Sequence, residues 1–152
     1  MAEEAWGANP LQSGVYPKAH VLNRFIAKAI DGMLIAAASQ VIEPVGWIAG
    51  LAYTLIADGF PGGQSVGKRL IGLQTVVPRT KEFSGFRESI IRNLPLALAY
   101  LLFPTPYVGW LLAGAVVAFE ALLLIGNERG VRLGDEIAGT QVLDSGELDF
   151  PE

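Results

Sequence analysis

Four apolar stretches occupy much of this chain, and the polar breaks between them restrict its fold more than any other feature. The first runs from about residue 25 to 42 and stops at Glu43-Pro44. Eighteen helical residues rise about 27 Å, close to the thickness of a hydrocarbon core. The second, about 45–58, ends at Asp58-Gly59 and Pro61-Gly62-Gly63. It is short for a crossing and needs neighbours, tilt or a thinned bilayer. Residues 90–125 would reach about 53 Å as one helix, too long for a single crossing. Phe103-Pro104-Thr105-Pro106 divides them into spans of about 89–103 and 107–125. Pro95 removes a helical hydrogen bond to Ile91, so a kink is expected in the third span.

The charges sort on this map. Lys18, Arg24 and Lys28 precede or begin the first span. Lys68, Arg69, Arg79, Lys81, Arg87 and Arg92 lie between the second and third, and Arg129 and Arg132 follow the fourth. All 11 basic residues therefore fall on one side of a four-span arrangement, and the turns around Glu43 and Pro104 hold none. This is the positive-inside pattern, with both termini cytoplasmic and Trp47, Tyr107 and Trp110 near the outer interface. A three-span arrangement would strand Arg129 and Arg132 outside. A soluble bundle of buried apolar helices is the competing reading, and the one-sided charge distribution argues against it.

Composition narrows the function. The chain is 51% hydrophobic and 17% charged, against about a quarter charged in soluble domains, which disfavours disorder and an ordinary water-soluble enzyme. The absence of cysteine excludes disulfides, thiolate nucleophiles and zinc-thiolate sites, and His20 is the single histidine. No nucleophile-base pair or metal-ligand cluster stands out, so neither an enzyme nor a cofactor is expected. A net charge of −4 argues against nucleic acid as a partner. The acidic, loop-like start with Glu3, Glu4, Pro10 and Pro17 does not resemble a cleaved signal. The expected organisation is a cytoplasmic segment over 1–20, a membrane domain over 21–143 with a cytoplasmic loop over 59–88, and an acidic disordered tail over 144–152.

Ionisable residues within the spans are the candidate site. Arg24, Lys28 and Asp31 share one helical face, and Asp31 lies roughly 10 Å deep by helical rise. Glu120, on the antiparallel fourth span, reaches a similar depth, and Arg92 and Asn93 stand near the start of the third. Such groups are costly in lipid and should face the interior in pairs. One reading is a structural ion pair of Asp31 with Lys28 or Arg92. The other is a proton or cation site in which Asp31 and Glu120 titrate, with Arg24, Lys28, Arg92 and Asn93 as electrostatic partners.

The loop residues Gly62-Gly63-Gln64-Ser65-Val66-Gly67-Lys68-Arg69 nearly match a phosphate-binding pattern. Arg69 holds the hydroxyl position, however, and the loop follows an apolar stretch rather than a strand. We expect a turn and a short helix over 65–70 on the cytoplasmic leaflet, with Lys68 and Arg69 meeting anionic headgroups. Residues 73–77 and 140–143 are short β-prone segments that should pair with each other. Gly46 and Gly50 form a GxxxG within the second span, which packs helices within the chain or makes a dimer face.

Together these features resemble the RDD family of small bacterial membrane proteins. Arg24 and Asp31, in Asn-Arg-Phe-Ile-Ala-Lys-Ala-Ile-Asp, resemble the arginine and first aspartate that name it. Asp135, in Gly-Asp-Glu-Ile-Ala-Gly-Thr-Gln-Val, resembles the second, and residues 63–73 are similar to its glycine-, glutamine- and lysine-rich segment. The likeness spans about residues 18–144. Gly134 departs from it, standing where many relatives have histidine, and four spans exceed the two-span family core. The resemblance implies an inner-membrane protein for which ion- or proton-coupled transport is the usual suggestion. Asp135 would latch the tail through Arg132, Arg24 or the Gln64 to Lys68 turn. Two functions are thus expected to compete: proton- or cation-coupled transport through a homo-oligomer, and a scaffold or accessory subunit whose buried charges are structural.

Overall fold

The computed structural model describes residues 18–41, 44–128 and 130–145. Its helices follow the apolar stretches: α1 Val21–Val41, α2 Val45–Ile56, α4 Phe86–Leu102 and α5 Val108–Gly126. A 3₁₀ turn, Ala57–Gly59, extends α2, and short α3 (Val66–Ile71) and α6 (Leu133–Ala138) lie outside the long helices. Each long helix starts within four residues of its expected edge because Pro44, Gly85 and the Pro104 to Tyr107 turn interrupt the chain. Pro95 lies inside α4.

Helix α1 packs on α2, α2 on α4, and α4 on α5, while α1 and α5 share no extended contact. The chain thus makes a row of antiparallel helices folded into an open trough. At one end of the trough Gly46 lies against the α1 backbone, where an added Cβ would stand 2.5 Å from the Ala38 carbonyl oxygen. A Cβ at Gly50 would meet Tyr100 Oη at 2.6 Å and Ile35 Cγ2 at 2.7 Å. The GxxxG face is therefore consumed by α1 and α4 of the same chain and is not a dimer surface.

At the other end the loop after α2 folds back. β1 (Leu73–Val77) is central in a three-stranded antiparallel sheet, between β2 (Glu82–Phe83) and β3 (Gln141–Asp144). The register sets Leu73 opposite Asp144 and Thr75 opposite Val142. The expected pairing of the two β-prone segments is present, and β2 is an addition. Leu73 and Val142 close a small apolar core with Ala19 and Ala27. The tail expected from residue 144 lies outside the described residues beyond Ser145, whose hydroxyl donates to the Gly72 carbonyl at 2.5 Å.

Polarity is inverted relative to a water-soluble fold. Arg92, Asn93, Asp58 and Asp135 are among the fully buried side chains, whereas Met33, Leu111, Leu122 and Ile125 are each at least 64% exposed. Among the described residues, α5 is the one helix both long and apolar enough to cross a membrane, and Val45–Gly59 is a shorter apolar helix. Arg24, Lys28 and Asp31 keep α1 out of that class, and α4, with 17 residues and Arg87, Glu88 and Arg92 among them, is both shorter and more charged.

Close packing at Gly46 has a measurable consequence. Gly46→Ala should lower stability by about 1–3 kcal/mol, the usual cost of overpacking, because the obstructing atoms are backbone. Gly32→Ala meets nothing within 4 Å and should leave the melting temperature unchanged or raised, as thermal unfolding in detergent will read.

Candidate functional site

The converging helix ends hold the polar interior. Asp58, within the 3₁₀ turn, is completely buried. Its Oδ1 lies 2.8 Å from Lys68 Nζ, and its Oδ2 lies 3.6 Å from Arg92 Nε and 3.8 Å from Lys28 Nζ. Asn93 Nδ2 donates to the same Oδ2 at 3.2 Å. Asp135, the second fully buried aspartate, meets Arg24 at 2.5 Å, Arg92 at 2.7 Å and Arg132 at 3.3 Å. Arg92 therefore bridges the two carboxylates and ties the end of α2 to α6 through α4. The Gly130 carbonyl accepts a further hydrogen bond from Arg24.

Local chemistry explains how α6 presents its aspartate. Asp135 accepts a hydrogen bond from the Arg132 amide, so it caps the helix that carries it. Gly134 lets α6 approach α4, since a Cβ there would stand 1.9 Å from the Arg92 carbonyl oxygen. The position where the family resemblance points to histidine thus admits no side chain in this packing. Burial pushes the Asp135 carboxyl up, but Arg92, Arg132 and Arg24 outweigh it and hold the group well below the usual aspartate range.

Asp31 and Glu120 take different partners. Asp31 accepts hydrogen bonds from Ser65 Oγ at 2.6 Å, the Gly67 amide at 2.8 Å and Tyr53 Oη at 2.9 Å. It anchors the start of α3, whose Ser65 also caps the Lys68 amide. A Cβ at Gly67 would stand 2.0 Å from the Ala27 carbonyl oxygen, so α3 lies directly on α1. Glu120 is 3% exposed, with Arg132 Nε 3.7 Å from its Oε2 and the Gly134 amide beside it. The two carboxylates share no partner among the described residues.

Several expected roles change accordingly. Lys28 and Arg92 pair with Asp58 and Asp135 rather than with Asp31, because Asp31 is turned toward the loop. Lys68 is 2% exposed and pairs with Asp58 and Thr75 Oγ1, so Arg69 and not Lys68 is the exposed basic residue of α3. Gln64 holds the loop by donating to the Leu73 carbonyl at 3.0 Å. Asp135 joins Arg132 and Arg24, two of the partners considered for it. Asp58 was not singled out from sequence, where it served only to end an apolar stretch. A carboxylate closing one apolar helix, opposite a lysine-bearing loop, was the available signal.

A cavity of about 1320 Å³ opens between α1 and α5, with α4 behind it. Arg24, Lys28, Lys68, Arg92, Arg132 and Glu120 line its charged end. Among the described residues no group of three His, Cys, Asp or Glu side chains is placed to hold a metal ion.

In comparisons with known proteins, the RDD family model matches residues 44–139. The matched region contains Asp58, Lys68, Arg92, Glu120, Arg132 and Asp135 and begins after α1. No curated protein and no solved structure matches the chain.

The network predicts an acid-sensitive fold. Asp135→Asn should destabilise the protein by about 3–5 kcal/mol, because it leaves buried guanidinium groups without their counter-charge. The wild-type contribution of Asp135 is fully present above its unfolded pKa of about 3.9 and is lost as pH falls through the depressed folded value. Unfolding curves from neutral to strongly acid pH should therefore steepen below that point in wild type and flatten in Asp135→Asn.

Proposed function

This chain belongs to the RDD family, a family of membrane proteins, and from that premise we propose that it is a non-catalytic scaffold or accessory subunit of the bacterial inner membrane. In this reading α1, α2, α4 and α5 all cross the bilayer. The observation that carries the reading is the inverted polarity: apolar side chains cover the outside while five cations and four carboxylates lie among the helix ends. Charges in such a setting must be paired, and Asp31, Asp58 and Asp135 each have at least three polar partners. Helices α1 and α4 carry their charges to the end where α3, α6 and the sheet cover them, which offsets their lower apolarity. That end is the basic one, so it faces the cytoplasm and both termini lie there.

The chain lacks cysteine, so single cysteines report topology directly. Thr105→Cys, in the turn before α5, should react with an impermeant maleimide in intact cells. Thr80→Cys, in the loop after β1, should react only after the cells are permeabilised. Equal labelling of both without permeabilisation would reject the four-span arrangement.

One observation favours proton- or cation-coupled transport through a homo-oligomer instead. Glu120 lines the cavity, and its one ion pair among the described residues is long. Proteoliposomes distinguish the readings. The scaffold reading expects no cation or proton flux from wild type, whereas flux that is present in wild type and lost in Glu120→Gln would replace it with transport.

A further inference from the structure

The cavity between α1 and α5 is larger than the roughly 300–1,000 Å³ of ordinary small-molecule pockets, and its two ends differ in chemistry. Five cations and one carboxylate line the charged end, while Asp58, Asp135 and Asp31 are absent from the lining. Asp58 and Asp135 stand behind the cations and hold them in place, and Asp31 is turned to the loop, so the surface facing the cavity is cationic. Arg92 is 0% exposed and lines the cavity, yet its Nη1 has no hydrogen-bond partner among the described residues. Lys28 reaches Asp58 only at 3.8 Å, and its side chain keeps 30% exposure. Both cations retain hydrogen-bonding capacity toward an anion.

Beyond the charged end the walls are apolar and cut back. Gly32 and Ala36 on α1 face the cavity from one side, and Gly114 and Val117 on α5 from the other. A Cβ at either glycine would meet nothing within 4 Å. Along α1 the lining continues beyond Lys28 to Gln40, about 18 Å of helical rise, against about 15 Å for one leaflet of the hydrocarbon core. A free inorganic anion would leave this apolar length empty. A second copy of the chain would bring the same cation excess against this one.

We propose that the cavity binds one anionic bilayer lipid, with its headgroup on Lys28 and Arg92 and an acyl chain between α1 and α5. The lipid completes the trough where α1 and α5 do not touch. This inference rests on the membrane reading, whose failure would appear in the cysteine labelling. Failure here would appear in a protein that still inserts as described.

The test uses the full chain, purified in a neutral detergent and offered phosphatidylglycerol or phosphatidylcholine with matched acyl chains, with bound lipid counted by native mass spectrometry. One phosphatidylglycerol per chain is expected, with a preference of about tenfold or more over phosphatidylcholine, the scale of one charge-assisted hydrogen bond. Filling the groove with Gly32→Leu and Gly114→Leu should abolish retention while the melting curve stays cooperative, since both sites have open space. Lys28→Gln should keep the groove but reduce the headgroup preference. Equal retention of the two lipids, or unchanged retention in the filled variant, overturns the proposal. Displacement by inorganic phosphate overturns it in favour of a simple anion site. A lipid-free dimer that the filled variant disrupts overturns it in favour of a second copy.

Discussion

Arg92 is the side chain on which the arrangement turns. It is fully buried in the second turn of α4 and spans two buried carboxylates, Asp58 from the 3₁₀ turn after α2 and Asp135 from α6. A guanidinium suits this position because it stays charged and presents donors in several directions, where a lysine offers one compact charge. Burying these ions is costly, and their mutual attraction compensates only when each has close partners. The arrangement meets that condition by recruiting Lys68, Lys28 and Asn93 around Asp58, and Arg24 and Arg132 around Asp135. Losing one partner therefore disturbs elements far apart in sequence.

This requirement shapes the parts outside the long helices. Lys68 must enter the interior, so α3 lies against α1 through Gly67 and is held there by Asp31. Asp135 must reach Arg92, so α6 rests on α4 through Gly134. Once α3 and α6 are docked, β1 and β3 are near enough to pair, and the small apolar core closes over the start of α1. At the opposite end glycine packing and the stacked rings of Trp47 and Tyr100 hold α2 to its neighbours. Polar bonding at one end and close packing at the other leave the space between α1 and α5 unfilled.

The candidate site was legible in part. Helical spacing put Arg24, Lys28 and Asp31 on one face, and the depth argument marked Glu120 and Arg92 as interior. Spacing describes a face but not what lies opposite, and the three residues of that face go to three different segments: α6, the 3₁₀ turn and the start of α3. The expected partnership of Asp31 with Lys28 or Arg92 failed for that reason. Asp58 escaped notice because its position at a helix end has a sufficient local explanation, the termination of an apolar stretch. Lys68 looked like a surface charge because nothing local signals that an aspartate waits inside.

Helix extents, the proline and glycine breaks, the one-sided distribution of basic residues and the pairing tendency of residues 73–77 and 140–143 were all readable along the chain. Each arises from neighbours within a few turns: apolar run length, lost amide donors, β-branched side chains. Arg24 and Arg132 were readable as candidate partners of Asp135, whereas the partners of Asp58 were not, because Asp58 and Arg92 meet only when four helix ends converge. The same convergence separates Asp31 from Glu120 and turns the cations toward the open trough. Local sequence encodes conformation and polarity, whereas the choice among five cations for each carboxylate depends on long-range packing in a medium where no charge can be left alone.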